Sequence, residues 1–273
     1  MPSLTAAVSI ETGLRERLTR FLSNASPWKK PLRDILRLIN ERKWEAVIFG
    51  GVLRDLAVFG PSERPRDVDI VVTADVSHTE LENAFDKWTV RRTRVGGLHL
   101  LVDKWMFDIW NVADTWGINR LGLPANLSEL PKTTFLNVEA IAAGIDTARG
   151  QQRQLYSYGF AEAIENRTVD INFMENPFPA LAVVRSLLTA ARLDFKIGPR
   201  LGKYILEKSH SGSFRELVEI QKDHYAMVRI PEPKLDLWIG SINAQLSNGA
   251  SAIMLPLERG EQLEFCNFWY PSV

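Results

Sequence analysis

The 273-residue chain is 45% apolar and 24% charged, the balance of a globular protein long enough for one large core or two modest ones. Lys+Arg and Asp+Glu stand at 33 each, so no global field draws the chain toward nucleic acid or a membrane, and any nucleic-acid contact needs a local basic patch. One cysteine, Cys266, excludes an internal disulfide framework, and His78, His99, His210 and His224 have no zinc-like spacing. The chain opens with no signal-like pattern and holds no apolar run near the ~20 residues of a membrane span. A cytoplasmic protein with no membrane partner is expected.

In chain order, Leu14, Leu18, Phe21 and Leu22 recur at three and four and predict a helix over 11–22. Ser26 as cap and Pro27 in the first turn open a second helix. "WEAVIFGG" reads as a short buried strand closing on Gly50-Gly51, "VLRDLAVF" as a helix and "GPSERPR" as a loop. "DVDIVVTA" is a strand, and "SHTELENAFDKW" a helix capped by Ser77 or Thr79. "TRVGGLHLLV" and "WMFDIWNV" are strands joined by a hairpin turn at Asp103-Lys104. From Pro177 the pattern turns helical through "ALAVVRSLLTAARLDF", "PRLGKYILEKS", "SFRELVEIQKDHYAMV" and "KLDLWIGSINAQL". The expected organisation is a mixed α/β head with N-terminal helices over 1–150, followed by a mainly helical region over 151–273. The stretch from Ser247 gives no clear signal.

The chemistry gathers in "FGGVLRDLAVFGPSERPRDVDIVV". Residues two apart share a face of a strand, so Asp67 and Asp69 point the same way. Two bare carboxylates at that spacing repel, and a hard divalent cation such as Mg²⁺ removes the conflict. A third carboxylate, Asp108, lies in the apolar strand "WMFDIWNV"; were that strand a neighbour, three carboxylates could hold two metals for phosphoryl or nucleotidyl transfer. Gly50-Gly51 turns a strand into a helix whose first N–H groups attract phosphate, with Arg54 one turn on. The rival readings are plainer: a solvated strand face for the aspartates, and a surface Arg54 paired with Asp55, which braces the turn.

"GGVLRD…RDVDIVV" resembles the head-domain signature of the poly(A) polymerase and class II CCA-adding tRNA nucleotidyltransferases. "TRVGGLHLLVDKWMFDIWNV" is similar to the segment in which that family completes its metal site, with Asp108 on the acidic position. "TTFLNVEAIA" is similar to its Phe-Thr-Ile-Asn-Ala stretch, with Asn137 in the asparagine place, and "AVVRSLLTAARLDFKI" to its neck helix. The resemblance covers residues 44–205. It implies an α+β fold, a polymerase β-like mixed-sheet head followed by a helical neck-like region. It also implies Mg²⁺, two ions, at Asp67, Asp69 and Asp108, and nucleotide contacts from Gly50, Gly51, Arg54, Asn137 and Arg185. The implied partners are an NTP, ATP or CTP, and an RNA acceptor, tRNA first.

The chain also departs from the family. Pro131, Lys132 and Thr133 stand where the family has Arg-Arg-Asp, and Phe178, Pro179 and Ala182 where its neck helix reads the incoming base. Proline and alanine cannot make those hydrogen bonds, so altered discrimination among NTPs is expected, without the ordered C, C, A program. The RNA-contacting candidates are Arg91, Arg92 and Arg94, with Lys196, Arg200 and Lys203. Two alternatives stand beside RNA: nucleotidyl transfer to a protein or small molecule, and an idle nucleotide-binding head.

Overall fold

The computed structural model describes residues 4–61, 65–93, 96–146, 152–211 and 214–257, so Arg94 and the closing stretch from Glu258 lie outside the described residues. The chain divides into two compact units: residues up to Thr134 with Val138–Glu165, and Phe135–Asn137 with the residues from Asn166 on.

In the first unit, α1 (Leu4–Ser23) runs further than its periodicity predicts and buries Leu14, Leu18 and Phe21. Pro27–Lys29 forms a 3-10 turn before α2 (Lys30–Glu41). Ser26 takes the N-cap position of that turn without making a side-chain cap bond. Then come β1 (Ala46–Phe49), α3 (Gly51–Val58), β2 (Asp67–Val72) and α4 (His78–Phe85). Ser77, and not Thr79, caps α4, in a reciprocal box with Glu80. β3 (Thr89–Arg92), β4 (Leu98–Val102), β5 (Trp105–Asn111) and α5 (Trp116–Leu121) follow. β6 (Ile141–Gly144), β7 (Leu155–Ser157) and α6 (Phe160–Glu165) complete the unit. Asp103 (φ 45°) and Lys104 (φ 70°) close the predicted two-residue turn between Val102 and Trp105, the geometry that suits strand twist.

Among the described residues this sheet has seven strands in the order β3-β4-β5-β2-β1-β6-β7. Only β2 and β5 pair in parallel; every other pair is antiparallel. Alternation gives each strand two faces. Val68, Ile70 and Val72 of β2, with Trp105, Phe107 and Ile109 of β5, enter a core shared with Leu18, Leu32, Ile35, Leu53 and Phe85 of the helices. On the opposite face, Val47, Val71 and Ala142 pack under Val112, Ile118, Leu127 and Leu130. This α+β, mixed-sheet architecture is the one the sequence predicts.

In the second unit, β8 (Thr168–Val169) pairs in parallel with β9 (Lys196–Ile197). Around them run α7 (Pro179–Leu193), α8 (Pro199–Ser211), α9 (Phe214–Tyr225) and α10 (Glu232–Ser247). These match the predicted helical segments. Among the described residues no helix is long and apolar enough to cross a membrane.

Ile70 is fully buried at the centre of β2, one residue from Asp69 and on the opposite face. Ile70→Ala should therefore cost about 2–5 kcal/mol of stability by cavity formation. Urea unfolding measures this.

Candidate active site

Strand pairing assembles the site. Asp69 lies opposite Asp108 in the parallel β2–β5 pair, and neighbouring strands sit about 4.8 Å apart. Asp67 is two residues earlier on the same face. The row extends both ways, with Phe49 of β1 opposite Asp69, His99 of β4 opposite Asp108 and Arg91 of β3 opposite His99. One step further along β2, Val71 is fully buried under the short helices; at Asp69 and Asp67 that cover ends and the residues become half-buried. The three predicted carboxylates thus share one face at the edge of its apolar cover.

Each of the two outer carboxylates has a partner. Asp67 Oδ2 accepts from Arg66 Nε at 3.0 Å and from Arg66 Nη2. Asp108 Oδ1 bonds to His99 Nδ1. Burial pushes the Asp108 carboxyl above its ordinary pKa, against the pull of His99. With the side chains so turned, no three His, Cys, Asp or Glu among the described residues are gathered as a ready metal site. The donor chemistry nonetheless fits a hard cation: carboxylate oxygens alone, on adjacent strands, with one Asp108 oxygen outside the histidine bond.

The glycine turn lies beside them. Gly50 has φ 68° and ψ −116°, a conformation L side chains rarely adopt, and its N–H donates to Ile141 O at 3.0 Å. It lets β1 turn at once into α3, whose first two amides, Gly51 and Val52, precede the first helical bonds, which Leu53 and Arg54 N–H donate to Gly50 O at 3.0 and 3.2 Å.

Arg54 departs from expectation. It is 4% exposed, and its Nε and Nη1 donate to Asp55 Oδ1 at 2.9 Å and Glu139 Oε1 at 2.5 Å. Burial alone would lower its pKa, yet Asp55 and Glu139 hold it above the ordinary value. Arg54 is thus tied to Asp55 and Glu139 beside the turn and is not the surface arginine of the plainer reading. Asn137 is likewise engaged, its Nδ2 donating to Thr168 O at 3.1 Å and its Oδ1 accepting from Asp170 N at 2.8 Å. That clasp ties both ends of the amide to the β8 segment.

Arg185 is exposed on α7, with no ion pair among the described residues, whereas Arg192 on the same helix is buried. Of the proposed basic patches, Arg91 bonds His99 and Arg92 pairs with Glu82 at 3.1 Å. Lys196, Arg200 and Lys203 are exposed. Phe178 is 61% exposed ahead of α7, and Ala182 is buried within it.

Two site residues escape sequence reasoning, His99 and Glu139. Glu139 is 85 positions from its partner Arg54, with no local signal. His99 was within reach, because the two-residue turn at Asp103-Lys104 fixes the β4–β5 register that sets it opposite Asp108.

No protein-family model matches the chain, and no curated protein sequence does. Solved structures match it in fold. A CCA-adding enzyme in complex with CTP superposes with a TM-score of 0.57 at 14% identity over 86% of this chain and 55% of that one. A tRNA-processing enzyme, apo form I, gives 0.52 at 20% identity over 78% of this chain and 56% of that one. A CCA-adding enzyme with ATP gives 0.51 at 16% identity over 73% and 47%. The chain spans about half the length of the solved structures it matches. It has the nucleotidyltransferase fold of those enzymes.

Arg54→Met should lose about 3–5 kcal/mol of stability, because two carboxylates remain without their cation. A phosphate-facing surface arginine would lose less than about 0.5 kcal/mol. Gly50→Ala should lose about 1–3 kcal/mol through backbone strain. Denaturant unfolding measures both.

Proposed function

We propose that the chain is a Mg²⁺-dependent nucleotidyltransferase that moves a nucleoside monophosphate from an NTP to an acceptor hydroxyl, most readily the 3′ end of an RNA of the tRNA class. The observation that carries this is the shared face of Asp67, Asp69 and Asp108, with Asp69 and Asp108 in direct register beside the Gly50 turn. The solved structures of the same fold, a CCA-adding enzyme with CTP and another with ATP, support the choice of an NTP.

Bound Mg²⁺ would neutralise the triphosphate and acidify the attacking hydroxyl. Asp67 and Asp69 would hold it, with Asp108 as third ligand. The amides that open α3 offer hydrogen bonds to phosphate oxygens. The hydroxyl oxygen attacks the α-phosphorus and forms a new phosphoester bond; the bond to the α–β bridging oxygen breaks and pyrophosphate leaves. Asp108 has one oxygen outside the histidine bond, and that oxygen would either complete the ion's ligands or take the hydroxyl proton. A protein or small-molecule acceptor is the second reading. The balanced net charge and the engagement of Arg91 and Arg92 favour it, since RNA affinity rests on free cations.

The test incubates the protein with each α-labelled NTP, Mg²⁺ and total RNA, and follows label and pyrophosphate. Label should enter RNA, and Asp67→Asn or Asp69→Asn should lower turnover by about 10²–10³. Label in protein or small molecules selects the second acceptor class, and none in any fraction overturns the transferase reading. On trimmed tRNA, sequencing should find additions without a clean CCA end, because Pro179 and Ala182 cannot hydrogen-bond a base edge. RNA binding should weaken log-linearly with salt.

A further inference from the structure

We infer that His99 is a positioning residue for Asp108, held in place by Arg91 through a relay across β3, β4 and β5. The inference rests on the nucleotidyltransferase reading of Asp108. His99 Nδ1 meets Asp108 Oδ1, and Arg91 Nη2 meets His99 Nε2 at 2.9 Å. A guanidinium can only donate, so Nε2 accepts, and a neutral ring then carries its proton on Nδ1, aimed at the carboxylate. The chain of donors fixes one Asp108 oxygen and leaves the other outside the histidine bond. Groups that orient a metal-binding side chain from behind tune its affinity without touching the ion.

Thr89 lies opposite Leu100 and Arg91 opposite His99, so the register shifts by one residue between them. Without that irregularity Val90 would face His99 and Arg91 would move to the other face. Val90 is instead the extra residue, 64% exposed. Bulges re-aim side chains beside sites, and this one turns an arginine onto the histidine.

The experiment uses the full chain and Mn²⁺ as the probe ion, with free Mn²⁺ read by electron paramagnetic resonance and NTP turnover read separately. Asp67→Asn, which should abolish Mn²⁺ binding, marks the site. His99→Phe should weaken Mn²⁺ about 10–100-fold and lower kcat in parallel, with KM for the NTP within about twofold. His99→Asn places an amide where Nδ1 lies and should recover most of both losses. His99→Gln reaches the Nε2 position and should not. Arg91→Met should give a smaller loss of the same kind.

Mn²⁺ affinity unchanged in His99→Phe, or Gln rescuing as well as Asn, overturns the inference. Asp67-dependent Mn²⁺ binding without any nucleotide transfer would sink the transferase reading alone, and the Asn-against-Gln comparison on Mn²⁺ would still decide the role of His99. Wild type that binds no Mn²⁺ through Asp67 overturns both.

Discussion

The parallel pairing of β2 with β5 is the constraint on which the site depends. β5 arrives at the end of the β3–β4–β5 meander and docks beside β2 in the same direction, so Asp69 meets Asp108. A slip of one residue would turn Asp108 into the core and Phe107 and Ile109 out of it. The core prevents that. Trp105, Phe107 and Ile109 are almost completely buried, Trp105 stacks on Trp28 and Phe107, and its Nε1 donates to Trp28 O at 3.1 Å. Apolar packing on one face of the sheet therefore sets the carboxylate geometry on the other.

Several acidic groups stand close together in this unit, and most answer to a donor. Arg66 meets Asp67, His99 meets Asp108, and Arg54 meets both Asp55 and Glu139. Like charges at strand spacing are tolerable only with such partners. The partners differ in permanence. Arg54 is enclosed and belongs to the frame, while the Arg66–Asp67 pair is half-exposed.

Much of this was legible in the residues. The Asp67–Asp69 spacing fixed a shared face because strand period is a local property, and the Asp103-Lys104 turn and the α4 capping box are local as well. What stayed hidden depends on partners distant in the chain. Arg54 looks identical in sequence whether it faces phosphate or Glu139, and only the close of β6 against β1 brings Glu139 to it. Asn137 gives no local sign of its partners, Thr168 and Asp170, which lie some thirty residues on. The irregularity at Val90 has no signature, since Thr-Val-Arg-Arg reads as an ordinary strand end.

That irregularity also bears on how the molecule keeps to itself. β3 is an outer strand of the seven-stranded sheet, and an outer strand offers unpaired amides and carbonyls to any passing chain. Here the strand is four residues long, out of step at Val90, and lined by two arginines. A second copy trying to extend the sheet would meet mismatched hydrogen bonds and positive charge, so the residues that steady His99 also guard this edge against aggregation.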